Sequence, residues 1–225
     1  TFADFLESDT GPFDFVALHG VYSWVGPDVR REIRDIIDRK LRPGGYAYVS
    51  YNAMPGWAAI LPLRQIMLSY TSGLELPTIE RVRRGLQYLS FLRDNGAGYF
   101  ANNTAAHQRL DMLLKYDPRY VAHEFFPKYW SASYFEEVAG DLRSCGLSFA
   151  GSIPACMNVR ELSVPKKFQD LLRTAPNRGV YETHKSFVLN EMFRRDLYVK
   201  PPVAQPDPAA VEAWDDLAFG ALGEP

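Results

Sequence analysis

Gly11-Pro-Phe-Asp-Phe-Val-Ala-Leu-His-Gly20 is a short apolar run held between two breakers. Its length and composition predict a strand at Phe13 to His19, buried on both faces. Downstream, Gly26-Pro27 should open a helix. Proline suits the first helical position, Asp28 complements the helix dipole, and Val29, Ile33, Ile36, Ile37 and Leu41 fall on one face. Arg30, Arg31, Arg34 and Arg39 are then expected to point to water. Leu41-Arg-Pro-Gly-Gly45 stops the helix, and Tyr46-Ala-Tyr-Val-Ser-Tyr51 alternates as a second strand would. A strand, helix, strand unit of this length makes a right-handed crossover, so the two strands should be parallel neighbours in an α/β sheet.

From about Trp57 to Phe126 the pattern changes to helices without strands: Leu61 to Tyr70, Ile79 to Leu92, and Thr104 to Tyr116. Thr78 is placed to cap the second of these, and Arg81, Arg83 and Arg84 to form its solvated side. Breakers at Gly73, Pro77, Gly96, Gly98 and Pro118 make this a helical cap of several pieces. The α/β rhythm returns at Ser133-Tyr-Phe-Glu136, which reads as a capping box. A helix ending at Cys145-Gly146 follows, then a strand at Leu147 to Ile153 and a further strand near Met157 to Val164. Helices are expected from Pro165 to Arg173 and from Thr183 to Arg195. The proline-rich stretch from Lys200 to Pro225 reads as a linker with one helical stretch near Ala209 to Leu217.

Composition narrows the function. The 225 residues carry 25 basic against 27 acidic side chains, a net charge of −2, and the sequence pI is near 6.1. No broad field exists to grip nucleic acid or an anionic membrane. No window has the apolar length of a bilayer span, and no export signal is visible. Two cysteines, Cys145 and Cys156, make no disulfide framework, so a reducing, cytoplasmic setting is expected. His123-Glu124 lacks the second histidine of a helical zinc pair, and His107 and His184 have no metal-ligand spacing, so no metal is expected. No G-x-S-x-G elbow accompanies His19-Gly20, which disfavours a hydrolase.

Phe13 to Val25, Leu41-Arg-Pro-Gly-Gly45 and Tyr48-Val-Ser-Tyr-Asn-Ala-Met-Pro-Gly-Trp57 together resemble class I S-adenosylmethionine-dependent methyltransferases. The likeness is to the group with a predicted methyltransferase regulatory domain, which includes bacterial protein-lysine methyltransferases. It continues more loosely through Tyr120 to Phe126, Ser144 to Leu147 and Phe193 to Leu197. The resemblance implies an α/β fold: the C-terminal part of a Rossmann-like methyltransferase sheet with an inserted α-helical regulatory or lid domain. Residues 1–57 would hold strands four and five of the core, 58–130 the helical insert, 131–199 the return to the core with C-terminal helices, and 200–225 the linker. The glycine-rich turn after strand one and the acidic end of strand two are absent, so the chain reads as an internal fragment of a longer methyltransferase. Alone it should bind S-adenosylmethionine weakly or not at all, and its uncovered fourth strand offers an edge for self-association.

Ligands of open α/β sheets lie beyond the carboxyl ends of the strands, and His19, Gly20 and Val21 occupy that edge. The resemblance places Asp4 and Phe5 where such enzymes hold adenine. Methyl transfer from a sulfonium needs positioning and desolvation more than acid or base motifs. For an amine acceptor, His19 or Tyr22 could take the proton. Tyr22, Trp24, Tyr51 and Trp57 follow the two strand ends, where aromatic faces could hold an ammonium, and Asn52 offers an amide carbonyl to it. The expectation is therefore methyl transfer to a protein side chain, the insert acting as a lid, with a non-catalytic regulatory or protein-binding module as the alternative.

Overall fold

A computed structural model describes residues 1–202; the linker and the helical stretch expected near Ala209 lie outside these, apart from the first three linker residues. α1 (Phe2–Glu7) precedes β1 (Phe13–Leu18), a 3₁₀ turn at Tyr22–Trp24, α2 (Pro27–Lys40) and β2 (Leu41–Asn52). The helical block comes next: α3 (Leu61–Thr71), α4 (Thr78–Asp94), α5 (Gly98–Ala101), α6 (Thr104–Lys115) and α7 (Pro118–Phe125). The chain then returns through α8 (Phe135–Arg143), β3 (Ser148–Ser152), a 3₁₀ turn at Ala155–Asn158, α9 (Arg160–Ser163), α10 (Lys166–Arg173), α11 (Arg178–Leu189) and β4 (Phe193–Val199).

The sheet runs β1-β2-β4-β3. β1 and β2 are parallel, as their crossover predicts, with Val16 opposite Ala47 and Leu18 opposite Val49. Between Phe13–Leu41 and Phe15–Tyr46 the register slips, and the Arg42 to Gly45 segment fills the slip. Only glycine fits at position 45, because a Cβ there would lie 2.7 Å from the Leu41 side chain and 2.9 Å from the Arg42 carbonyl oxygen. β4 is antiparallel to both β2 and β3.

One core joins this sheet to α2 and α8 through Leu18, Ile33, Ile37, Val49, Phe135 and Leu142. A second belongs to the helical block, around Leu63, Met67, Val82, Leu89, Leu110 and Val121. Each fully buried Leu or Met contributes about 1.5–3 kcal/mol relative to exposure, so the block is held by its own interior.

Several expectations are corrected. β1 is not buried on both faces: Phe15 is 54% exposed, because β1 has a strand on one side only among the described residues. No strand forms at Met157 to Val164. Pro154 and Pro165 bracket that stretch, and the Asn158 amide serves the end of β3 instead, accepting from Ser152 N–H (2.7 Å) and donating to its carbonyl (2.8 Å). The helix expected from Thr183 to Arg195 begins earlier, at Arg178 under an Asn177 cap, and stops at Asn190, whose φ of 51° turns the chain into β4. Pro77, not Thr78, occupies the capping position of α4. The reciprocal cap of α8 sits one residue later than read, with Tyr134 N–H donating to Glu137 Oε2 (2.8 Å). Arg30 and Arg34 turn inward: Arg30 donates to the Tyr22 carbonyl (2.8 Å) and to Ser131, and Arg34 pairs with Asp141. Arg81 is half-buried, its guanidinium lying 5.6 Å from the centre of the Phe126 ring.

Candidate active site at the carboxyl edge of the parallel strands

The turn leaving β1 is shaped by Gly20, whose φ of +63° is the left-handed conformation that glycine adopts without strain. Gly20 N–H donates to Ser50 Oγ (2.8 Å), which fastens the turn to β2. His19 projects into solvent beside it. Its Nδ1 lies 3.1 Å from the Tyr48 hydroxyl, and the two rings stack at 6.0 Å. Val21 packs half-buried against the first core.

The remaining sequence candidates separate. Tyr22 is 1% exposed; its hydroxyl donates to Asp141, Arg30 covers its ring at 4.5 Å, and its edge meets Tyr51. Burial, then the bond to Asp141, holds its phenol well above the usual range, so it keeps its proton and is committed to packing. Tyr51 is fully buried and donates to Asp196 Oδ2 (2.8 Å); burial and the Asp196 charge push its phenol up likewise. Trp57 belongs to the helical block, its indole N–H donating to the Met192 carbonyl (2.9 Å) and its ring packed on Trp130 and Phe125. Among the described residues Tyr51 and Trp57 line no cavity open to a ligand, and Tyr22 lines only a cleft between α2 and α8.

Asp4 and Phe5 do not converge on His19. Phe5 stacks on Phe13 at the opposite end of β1 (5.9 Å), and Glu7 at the close of α1 pairs with Arg39 at the end of α2 (3.0 Å). Asp4 is exposed and caps α1 with Thr1. The pairing of an aromatic at the foot of the strand sets α1 where it cannot serve the upper edge.

Trp24 and Asn52 do remain at that edge. Asn52 N–H donates to Ser23 Oγ (2.8 Å), while its side-chain nitrogen is buried with no hydrogen-bond partner. The Trp24 indole nitrogen is also buried and unpartnered, and its ring lies 6.4 Å from that of His123. Gly20 and Trp24 form one wall of an open hollow of about 520 Å³, lined on its other sides by His123, Glu124 and Phe126 and by Phe193 at the start of β4. A larger cleft, about 760 Å³, opens between α2 and α8. Two of its arginines are already engaged, Arg34 by Asp141 and Arg30 by Tyr22 and Ser131. The smaller cavity, at the carboxyl edge where α/β sheets receive ligands, is the better candidate. Sequence reading missed His123, Glu124, Phe126 and Phe193 as lining residues; the only signal was the His-Glu pair, which suggests a metal before it suggests a wall. Among the described residues no three His, Cys, Asp or Glu side chains gather as a metal site, and no helix is long and apolar enough to cross a membrane.

Comparison with solved structures bears on this arrangement. The chain superposes on PKMT2 from Rickettsia typhi with a TM-score of 0.68 at 24% identity, over 91% of this chain and 38% of that one. The same protein in complex with AdoHcy gives 0.70 at 25% identity over the same shares. Residues 117–200 match the family described as "Predicted methyltransferase regulatory domain". The fold is methyltransferase-like. That matched range takes in α7 and the returning half of the sheet, so the cavity is walled by both the β1 strand end and the matched segment. Among curated relatives, sll1526 of Synechocystis sp. is 34% identical over 222 residues, 99% of this chain and 44% of that protein. RP789 of Rickettsia prowazekii is 28% identical over 200 residues, 85% of this chain and 34% of that protein. The chain spans less than half the length of these two relatives.

Proposed function

We propose that the full-length protein transfers a methyl group from S-adenosylmethionine to a protein side chain, a lysine amine being the acceptor that suits the cavity. The observation that carries this is the cavity itself: it lies at the carboxyl edge of two parallel strands, beside the tight Gly20 turn, in a fold similar to a protein solved with AdoHcy. The residues present fit one wall of a nucleoside site and not the whole. A Cβ on Gly20 would meet nothing within 4 Å, so the turn has open space before it, whereas Asp4 and Phe5 lie at the wrong end of β1 to hold adenine.

When bound, S-adenosylmethionine supplies an electrophilic methyl on a sulfonium. The chain's part is to position and desolvate the acceptor. Ser50 fixes the turn that faces the cofactor, Trp24 and Phe193 exclude water from the acceptor side, and the exposed His19, steadied by Tyr48, receives the amine proton directly or through water. The helical block supplies the opposite wall through α7 and so acts as a lid.

The test is mass spectrometry of candidate protein acceptors incubated with the full-length protein and S-adenosylmethionine, expecting methyl increments on lysine. Trp24→Ala should lower turnover more than thermal stability; equal loss would make Trp24 a packing residue only. Calorimetric titration of residues 1–225 alone should give weak or no cofactor binding, and tight one-to-one binding would overturn the half-site reading. The match of residues 117–200 to a regulatory domain favours one other reading, a non-catalytic protein-binding module, which acceptor binding without transfer would establish.

A further inference from the structure

Glu124 is an unusual carboxylate for its place. Its side chain is only 16% exposed, and among the described residues no lysine or arginine nitrogen lies within 4 Å of it. The one ion-pairing neighbour at that range is the His123 ring, whose Nδ1 is 3.2 Å from Oε1 and whose own side chain is mostly in solvent. The nearby Arg81 is turned onto the Phe126 ring. A half-buried carboxylate with no lysine or arginine beside it is free to pair with a cation that a ligand brings. Around it the cavity is aromatic: Trp24 from the strand-end turn, Phe126 after α7 and Phe193 at the start of β4. Aromatic faces attract a cation, and a half-buried carboxylate among them fixes where its charge must sit.

We infer that Glu124 holds the ammonium group of the incoming side chain, with Trp24, Phe126 and Phe193 gripping its alkyl stem, so that the regulatory segment selects a primary-amine acceptor. This rests on the methyl-transfer reading for its biological meaning, but cation capture can be measured without turnover. Glu124 is a positioning and specificity residue: it binds the charged acceptor and releases it toward the β1 edge once the proton is lost. The juxtaposition is built from α7 and two strand ends, so no local sequence signal announces it.

The experiment uses the full-length protein and two end-capped probes, N-acetyl-lysine methylamide and its norleucine counterpart, which differ only in the ammonium. Calorimetric titration of the wild type should show the lysine probe binding at least about tenfold tighter than the norleucine probe, since a hydrogen-bonded charge pair is worth about one decade or more. Glu124→Gln should abolish that preference while leaving S-adenosylhomocysteine affinity unchanged, and Glu124→Asp should restore part of it. Equal binding of the two probes by the wild type, which needs no variant to fold, would overturn the inference. So would a lysine preference that survives in Glu124→Gln. If the lysine preference depends on Glu124 and yet no methyl is transferred to any amine, the cation site stands and the methyltransferase reading fails. If transfer occurs with an unchanged KM in Glu124→Gln, the enzyme reading stands and this inference fails.

Discussion

The two edges of the four-stranded sheet are built on opposite terms. On the β3–β4 side, Arg194 is 1% exposed and reaches three carboxylates: Glu182 (2.9 Å), Glu191 (2.8 Å) and Asp196 (2.9 Å). Lys185, fully buried, pairs with Glu182 at 2.7 Å and donates to the Met157 carbonyl. Arg178 closes the cluster from the rim at 2.8 Å, so three cations face three carboxylates. Burial alone would disfavour the Arg194 charge, but Asp196 leads the partners that keep it on. On the β1 side there is no such closure. Phe13, Phe15 and Val16 line an apolar hollow of about 240 Å³ with Phe2, Phe5 and Ile36, and Phe15 stands more than half in water. A sheet can thus hold charge in a sealed interior when its groups are paired, and leave apolar surface open along a strand that has one partner among the described residues.

The largest test of this contrast is Arg194→Met. Leaving Glu182, Glu191 and Asp196 buried without their common cation should cost about 3–5 kcal/mol in urea denaturation; a loss under about 1 kcal/mol would show that the sealed edge is held by packing alone. Tyr51→Phe removes one hydrogen bond to the Asp196 carboxylate and should cost about 1.5–3 kcal/mol by the same measurement. A third test sharpens the electrostatics. Burial would raise the Glu182 carboxyl, but Lys185 and Arg194 outweigh it and hold it below its ordinary value. Its folded state therefore binds a proton less readily than its unfolded state. Its contribution is full above the ordinary carboxylate range, near pH 4.3, and is lost as pH falls through the depressed value. Thermal melts across the acid limb should show that slope, and Glu182→Gln should flatten it. The smallest expected effect lies at the open edge: Phe15→Lys should change stability by no more than about 0.5 kcal/mol while reducing concentration-dependent association in sedimentation velocity. A loss of core size there would mean that Phe15 is covered, and the contrast between the edges would disappear.

Local structure is legible in the sequence where breakers and periodicity agree. Gly11-Pro12 and Gly26-Pro27 frame β1 and α2, and Pro27 does occupy the first turn of its helix. β4 is hidden for the opposite reason. Arg194 and Asp196 point inward on alternate positions of a strand, and pattern reading sends charges outward, so Phe193 to Arg195 passes for the end of a helix. α7 escapes notice because it has only eight residues and opens on Pro118, which also reads as a breaker. At the site, Trp24 and Gly20 are legible as strand-end residues, whereas Glu124 on a short helix looks like any solvated carboxylate.

The linear order of residues determined the parallel pair β1 and β2, the crossover between them and the helical character of residues 57–126, since each follows from local breakers, local periodicity and a short right-handed crossover. Only the tertiary structure decided that Tyr22 and Tyr51 are consumed by Asp141 and Asp196, that α1 lies at the foot of β1, and that α7 brings Glu124 to face Trp24. The tyrosine pairings and the approach of α7 to Trp24 join residues a hundred or more positions apart, while α1 is set by packing on β1 and α2. Burial, charge pairing and cavity shape belong to the packed assembly and have no counterpart in local periodicity.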